Sequence, residues 1–448
     1  MRILLINGYV INVESGEVKK GDILINGHKV EQISYEEGVL EAEQVMDIAG
    51  KYVIPGLIDM HVHIKETFAP FFVASGVTTV RNTAGSVLEL ERLRKAKADD
   101  PTPRVISADR MIDGPPGLWG ETTPFNVNID NPEIARFEVR RQVEIGADFI
   151  KVYGWLSPDV MASVADEARK LGKEVSCDLN HSRKVNAVDA ARFGVKWNEH
   201  ASGIIQALYP DWHTSAAKEI WDQIDWEEPD REALLPILHT LLEEGVIICP
   251  TMTLIDQMNL VNNYWAPRHP LMEQLNTLEG LFQQWNSFLG YKESLKVVGK
   301  SHQWNKVIAK MYHDIGGKVV TGTDTPAGIF TYPGLALHRE LELFVEAGFT
   351  ELEALQAATI KAADALNRTD IGRIKEGAYA DLVILSEHPL ENISHTQGIT
   401  LIVKGGRVFQ PDELVSYTVS AEEYKEKYEQ FIEHFKDTTL EQINKISK

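Results

Sequence analysis

Ile58-Asp59-Met60-His61-Val62-His63-Ile64, entered through Pro55-Gly56, alternates apolar and polar residues with the period of a β-strand. Asp59, His61 and His63 therefore share one face, and Ile58, Met60, Val62 and Ile64 share the other. Two imidazoles two residues apart on one strand face can hold the same cation through neutral ring nitrogens. A pair of surface histidines on an edge strand is the alternative, and the pattern of the remaining chain decides between them.

Outward from this stretch, strand-like runs recur at 78–82, 104–107, 149–153, 174–179, 196–199, 246–250 and 318–322, which with 57–64 make eight. Helical stretches such as 158–171 and 233–244 fall between them. This alternation predicts a parallel (β/α)8 TIM barrel over residues 56–364. Residues 1–54 read as short strands separated by glycine-containing turns such as Asn26-Gly27. Residues 381–385 and 400–409 repeat that style near the other end. Neither end holds enough strands to bury a sheet face alone, so one small β-sandwich domain built from residues 1–55 and 365–418 is expected. The stretch 255–300, rich in Asn, Gln and Trp, exceeds a normal connection and is expected over the barrel mouth. Residues 419–448 carry a helical period and dense charge and predict a C-terminal amphipathic helix.

At 448 residues the chain is long enough for a large barrel plus a smaller domain. Hydrophobic content of 44% with 25% charged residues is ordinary for a globular protein. The formal charge of −21 argues against nucleic acid or an anionic membrane as partner. Cys177 and Cys249 are the only cysteines, both inside apolar runs, so no disulfide framework is expected. No run approaches the roughly 18 apolar residues of a membrane span. Met1-Arg2-Ile3-Leu4-Leu5-Ile6-Asn7-Gly8 reads as a strand rather than a signal peptide, so the expected location is the cytoplasm. The composition leaves a homo-oligomer open.

Pro55-Gly56-Leu57-Ile58-Asp59-Met60-His61-Val62-His63 resembles the first-strand signature of the amidohydrolase superfamily. Active-site residues of a barrel sit at the carboxyl ends of its strands, so other ligand-type residues should converge there. Phe149-Ile150-Lys151-Val152-Tyr153 puts a lysine on an apolar, buried strand, where an unpaired ammonium is costly. A structural ion pair is one answer. The other follows from the likeness of Ala147–Tyr153 to the fourth-strand motif of amidohydrolases with a carboxylated lysine: Lys151 becomes a carbamate bridging two cations. Asn198-Glu199-His200 resembles the sixth-strand pair whose histidine binds the second metal. Asp324, in Thr321-Gly322-Thr323-Asp324-Thr325 after the apolar Val319-Val320, can bind metal and accept a proton from metal-bound water. A helix N-cap is its plainer role.

On the fifth strand the resemblance falters. Relatives carry His-x-His or Gly-His-Val-Pro, whereas this chain reads Ser176-Cys177-Asp178-Leu179-Asn180-His181. Strand parity puts Ser176, Asp178 and Asn180 on one face and leaves His181 one residue out of phase. His181 serves as ligand if a bulge or the turn into the loop swings it inward. Asp178 and a degraded site are the alternatives. His338 could orient its neighbours after the eighth strand, but a satisfied structural histidine is the expectation.

The chain over residues 1–415 looks like the imidazolonepropionase and prolidase-like branch of that superfamily. This also rests on 340–348, 353–359 and Gly372-Arg373-Ile374-Lys375-Glu376-Gly377-Ala378-Tyr379-Ala380-Asp381-Leu382-Val383. The resemblance implies one or two divalent ions, zinc for preference, held by His61, His63, carboxylated Lys151, His181, His200 and Asp324. Asp324 would be the catalytic acid and base. The implied reaction is hydrolysis of an amide-type C–N bond in a small molecule such as an N-acyl amino acid, cyclic amide or dipeptide. Trp119, Glu121 and Tyr153 are candidate substrate contacts, set against plain packing of the barrel rim. An ester or organophosphate hydrolase would use the same site, and a catalytically silent scaffold would keep the fold without the metal.

Overall fold

Leu57–Val62, the strand read from the His-x-His stretch, is buried at all six positions. Burial on both faces is what a parallel barrel strand meets, with side chains inside and helices outside. The computed structural model describes residues 1–36 and 40–446, with side chains through 433 and at 435.

The first strand pairs in parallel with the second, Val77–Asn82, and that with the third, Arg104–Ser107. A bridge between Ala108 and Phe149 leads to the fourth, Ile150–Tyr153. Val175–Asp178, Trp197–Glu199, Ile247–Cys249 and Lys318–Val319 follow in order, each parallel to its neighbour. The ring closes where Met60 N donates to Thr321 O at 2.9 Å, Asp324 N donates to His61 O at 2.7 Å, and Val62 bridges Thr325. The protein is therefore an eight-stranded parallel barrel of the TIM type. Two short strands escaped sequence reading: Met111–Asp113 and Asn126–Asn128 extend the sheet beside the fourth strand. At three residues each, they are too short to show a period.

The chain ends build one further sheet. Its strand order is Arg407–Phe409, Ile399–Lys404, Leu382–Leu385, Tyr52–Pro55, Arg2–Ile11, Val18–Asn26 and Lys29–Ser34, with Gln44–Asp47 also paired to Arg2–Ile11. A register shift between Leu5 and Gly8 lets the long first strand pair with Gln44–Asp47 at one end and Tyr52–Pro55 at the other. Its buried face gathers Ile3, Leu5, Ile23 and Val53 from the start of the chain with Leu382, Ile384 and Val403 from near its end. Neither terminal segment supplies that core alone.

Pro158–Lys170 and Arg231–Glu243 are the helices expected between strands, each N-capped by a side chain, Ser157 and Asp230. The long stretch before the eighth strand is helical rather than loop: Met252–Asn259, Met272–Leu275, Glu279–Leu289 and Lys292–Gly299. It packs on the segment after the eighth strand, where Trp285 donates to Pro326 O at 2.8 Å and stacks near Phe330 and Tyr332. The predicted terminal helix spans Ala421–Ile446; residues 447 and 448 lie outside the described residues. Among the described residues no helix is long and apolar enough to cross a membrane.

Candidate metal centre

His61 and His63, from the first strand and the residue just past it, meet Asp324 from beyond the eighth. His61 Nε2 and His63 Nε2 lie 3.0 and 2.9 Å from the same oxygen, Oδ1 of Asp324. One ligand atom from each of the three residues lies within 4.8 Å of the others. Gly322 makes this approach feasible, because a Cβ there would collide with Cys249 Sγ and His61 Cβ. Asp324 has a φ of 59°, in the left-handed region that aspartate tolerates better than most residues. His200, with a φ of 63° past the sixth strand, turns inward in the same way, its ring centroid 4.7 Å from that of His61.

Each histidine has its Nδ1 committed. His61 Nδ1 donates to Glu199 Oε2 at 2.7 Å, His63 Nδ1 to Ala84 O at 3.3 Å, and His200 Nδ1 to Thr251 Oγ1 at 2.6 Å. The Thr251 hydroxyl itself donates to Pro250 O, which fixes it as acceptor for His200. The three Nε2 atoms are thereby left facing the carboxylates. A buried imidazole held through Nδ1 is a preorganised ligand at Nε2.

Glu199 is fully buried and accepts from Arg81 Nη1 at 2.8 Å and from Ser176 Oγ at 2.5 Å as well as from His61. Burial pushes its carboxyl up, but Arg81, His61 and Lys151 more than offset this and hold it well below the ordinary carboxylate range. Arg81 lies between the rings of Phe149 and Trp197, 4.0 and 4.1 Å from their centroids. Burial likewise opposes ionisation of Asp324, and His61 and His63 overcome it, so this carboxyl is held far down. Asp59 answers to burial first: its carboxyl is pushed up to about 7 despite accepting from Thr323 N, Thr323 Oγ1 and His61 N. It clips the first strand to the segment carrying Asp324.

Of the fifth-strand candidates, Asp178 is the one in contact with His200: its Oδ2 lies 3.4 Å from His200 Nε2. Burial raises its carboxyl, and His200 and Lys151 reverse that and depress it. His181, past the strand end, shares a hydrogen bond of 2.5 Å between its Nδ1 and the Thr214 hydroxyl, and its carbonyl accepts Trp155 Nε1. Lys151 is 0% exposed on the fourth strand, and its Nζ has no hydrogen-bond partner among the described residues. Its charge lowers the carboxyls of both Asp178 and Glu199, and its Nζ lies 5.4 Å from the centroid of the Tyr153 ring.

Tyr153 stands at the same mouth. Burial raises its hydroxyl pKa far above the usual phenol value, and the Asp178 and Asp324 charges add to that, while Trp119 hydrogen-bonds it. Trp119 is otherwise exposed, and Glu121 is exposed with only its carbonyl engaged, by Asn126 Nδ2 at 3.0 Å. His338 is a satisfied structural residue, bonded to Thr396 Oγ1 and Ser75 O, and burial pushes it down to about 3. Sequence reading passed over Arg81 and the part of Glu199; it placed Ser176 on the inward face of the fifth strand and took Thr251 for a substrate contact, without their hydrogen bonds to Glu199 and His200. A buried arginine on an apolar strand was the signal for Arg81, and adjacency to His200 the signal for Glu199.

The donor set of imidazole nitrogen and carboxylate oxygen suits a divalent cation, and the buried Nζ of Lys151 has no hydrogen-bond partner among the described residues. A profile described as the amidohydrolase family matches residues 52–409. The chain belongs to the amidohydrolase family. It is 26% identical over 331 residues to an ochratoxinase of Aspergillus niger, covering 69% of this chain and 56% of that protein. Against an adenine deaminase of Listeria welshimeri it is 39% identical over 84 residues, 17% of this chain and 14% of the other. This amidohydrolase thus spans between 14% and 56% of the length of those curated relatives. A putative prolidase from Bifidobacterium longum superposes with a TM-score of 0.69 at 22% identity, covering 95% of this chain and 99% of that one, which shows the shared fold.

Proposed function

We propose that this amidohydrolase is a metal-dependent hydrolase that cleaves an amide-type C–N bond of a small molecule, such as an N-acyl amino acid, cyclic amide or dipeptide. The convergence of His61, His63 and Asp324 within 4.8 Å at the carboxyl end of the barrel carries this reading. Relatives named as an ochratoxinase and a putative prolidase on the same fold support it.

In this reading His61, His63 and Asp324 hold one cation, and His200 with Asp178 or His181 holds a second. Lys151, if carboxylated on Nζ by carbon dioxide, would supply a further anionic ligand from the fourth strand. Zinc suits the mixed nitrogen and oxygen donors. When bound, such an ion supplies Lewis acidity, lowering the pKa of water towards about 7 and polarising a carbonyl. Asp324 takes the proton from the attacking water and returns it to the leaving nitrogen. Its lowered pKa means that it is ionised at neutral pH, the form that can accept a proton. Tyr153, whose raised pKa keeps it protonated, donates to the oxyanion that develops on the former carbonyl. Glu199, Ser176 and Arg81 keep the His61 ring in the tautomer with Nε2 inward. Residues 56–364 form the catalytic unit, 1–55 with 365–418 a β-sandwich domain, and 419–448 a tail; a cytoplasmic location completes the reading.

Elemental analysis of protein purified without chelator, paired with a panel of N-acyl amino acids, cyclic amides, dipeptides and esters, tests this. One or two equivalents of metal and turnover of an amide, abolished in Asp324→Asn with the fold intact, are the expected results. Metal-free protein would leave the scaffold reading, and turnover of esters alone would move the reaction class.

A further inference from the structure

The helix Ala421–Ile446 lies beyond residue 409, where the family match ends, yet it is fastened beside the metal centre. Tyr424 donates to Glu89 Oε1 at 2.5 Å, and Lys427 pairs with Glu66 at 3.1 Å. Tyr428 and Phe431 pack on Phe125, with ring centroids 6.2 and 6.0 Å away. Glu66 follows the first barrel strand and Glu89 the second, so the helix binds the rim from which His63 projects.

A pocket of about 170 Å³ reaches from His63 to the residues this helix holds, Phe125 and Glu89, with Ile64, Leu90 and Met111 among its walls. Lys65 also borders it, but both oxygens of Glu89 lie 2.7 Å from the Lys65 ammonium, so the charges there cancel locally. What remains is an apolar recess whose wall touches the metal centre directly, since Ala84, another lining residue, accepts the His63 Nδ1 hydrogen bond. Its volume is of the order that holds one phenyl ring, a cavity of roughly 150 Å³ being enough for benzene. Nothing in the hydrolytic chemistry assigned to the centre uses this recess.

We infer that the recess receives the apolar side chain of the substrate, a phenyl or branched aliphatic group, and that the C-terminal helix sets its shape by holding Phe125 and Glu89. This rests on the hydrolase reading and adds the substrate class that the site selects. The helix is then a specificity element.

The test is calorimetric titration of the metal-loaded full-length protein with acetohydroxamate and phenylacetohydroxamate, which share a metal-binding end and differ in the apolar group. The phenyl ligand should bind at least about tenfold more tightly, the discrimination that a few methylenes give in a fitted pocket. Met111→Trp, filling the recess, should bring the affinity ratio towards one, and the double variant Tyr428→Ala/Phe431→Ala should lower it, circular dichroism and metal content confirming that both are folded and loaded. Equal affinities in the unaltered protein, or a ratio that Met111→Trp leaves unchanged, would overturn the recess as a subsite. An unchanged ratio in the helix variant would overturn the helix's part. If neither ligand binds and metal is absent, it is the hydrolase reading that fails, a distinct result from equal binding of both.

Discussion

His61, His63 and His200 share one device: an acceptor on Nδ1 holds each ring so that Nε2 looks into the barrel mouth. Three acceptors of three kinds, a carboxylate, a main-chain carbonyl and a hydroxyl, do the same work, so the inward tautomer follows from position rather than from one motif. Lys151 is the counterpart with no acceptor at all among the described residues. Its replacement by Ala should empty the centre of metal, and short-chain carboxylates added to the variant should restore part of both metal content and turnover. Full metal retention in Lys151→Ala would show that the lysine does not bridge. The fifth strand allows a sharper comparison. Asp178 touches His200 while His181 is bonded to Thr214, so Asp178→Asn should lose metal and His181→Ala should keep most of it. The reverse order, read by elemental analysis, would make His181 the ligand and require its loop to move. This position was the least legible in the sequence for a physical reason. Parity names a face only while the strand is regular, and Val175–Asp178 ends before residues 180 and 181, where the chain turns.

Among the elements, the helix Met252–Asn259 after the seventh strand has a start that its own sequence does not provide. Its N-cap, Thr251, has a φ of 48° and turns its hydroxyl to Pro250 O and His200 rather than to the helix. The free N–H groups of Met252 and Thr253, with the Thr253 hydroxyl, are met instead by the Glu340 carboxylate at 2.7 to 2.9 Å from another helix, Leu335–Glu346. Capping in trans frees Thr251 to hold His200. Glu340→Ala should cost at least about 1–3 kcal/mol, since it leaves buried donors unmet. Burial pushes the Glu340 carboxyl up from 4.5 to about 8. The folded state thus keeps a proton that the unfolded state has released, and stability through this group falls as pH rises from about 4.5 to about 8. Thermal denaturation across that range should show a flatter dependence in Glu340→Ala than in the unaltered protein; parallel curves would mean the carboxyl is not so perturbed. Local sequence could not reveal this cap, because donor and acceptor are 88 residues apart. Pro158–Lys170, by contrast, carries its own cap in Ser157 and was legible to within a residue.

For the molecule as a whole, the barrel was readable because its eight strands are apolar runs that alternate with helical stretches, and the sheet of both termini because neither end could bury a face alone. What the sequence concealed was the internal charge. Ion pairs between distant residues stitch the barrel wall, and Glu138 is the densest case. On the helix Pro132–Glu144, it takes Arg110 through two nitrogens at 2.8 and 2.7 Å and Arg141 through two at 2.9 and 2.6 Å, and Arg141 reaches on to Asp109. All three members of the triad are nearly inaccessible. Burial alone would raise the Glu138 carboxyl, but Arg110 and Arg141 override it and bring it from 4.5 down to about 2. The unfolded chain therefore takes up a proton before the folded one does, and stability from this cluster, complete above about 4.5, drains away as pH falls towards about 2. Glu138→Gln, leaving the buried Arg110 without its counter-charge and Arg141 with Asp109 alone, should lower stability at neutral pH by about 3–5 kcal/mol. The deficit should shrink on acidification, because below its folded pKa the glutamate is as uncharged as the glutamine. Denaturant midpoints of the two proteins at neutral pH and near pH 3 decide it: a narrowing gap is the expected result, and a constant one would mean that Glu138 contributes through shape rather than charge.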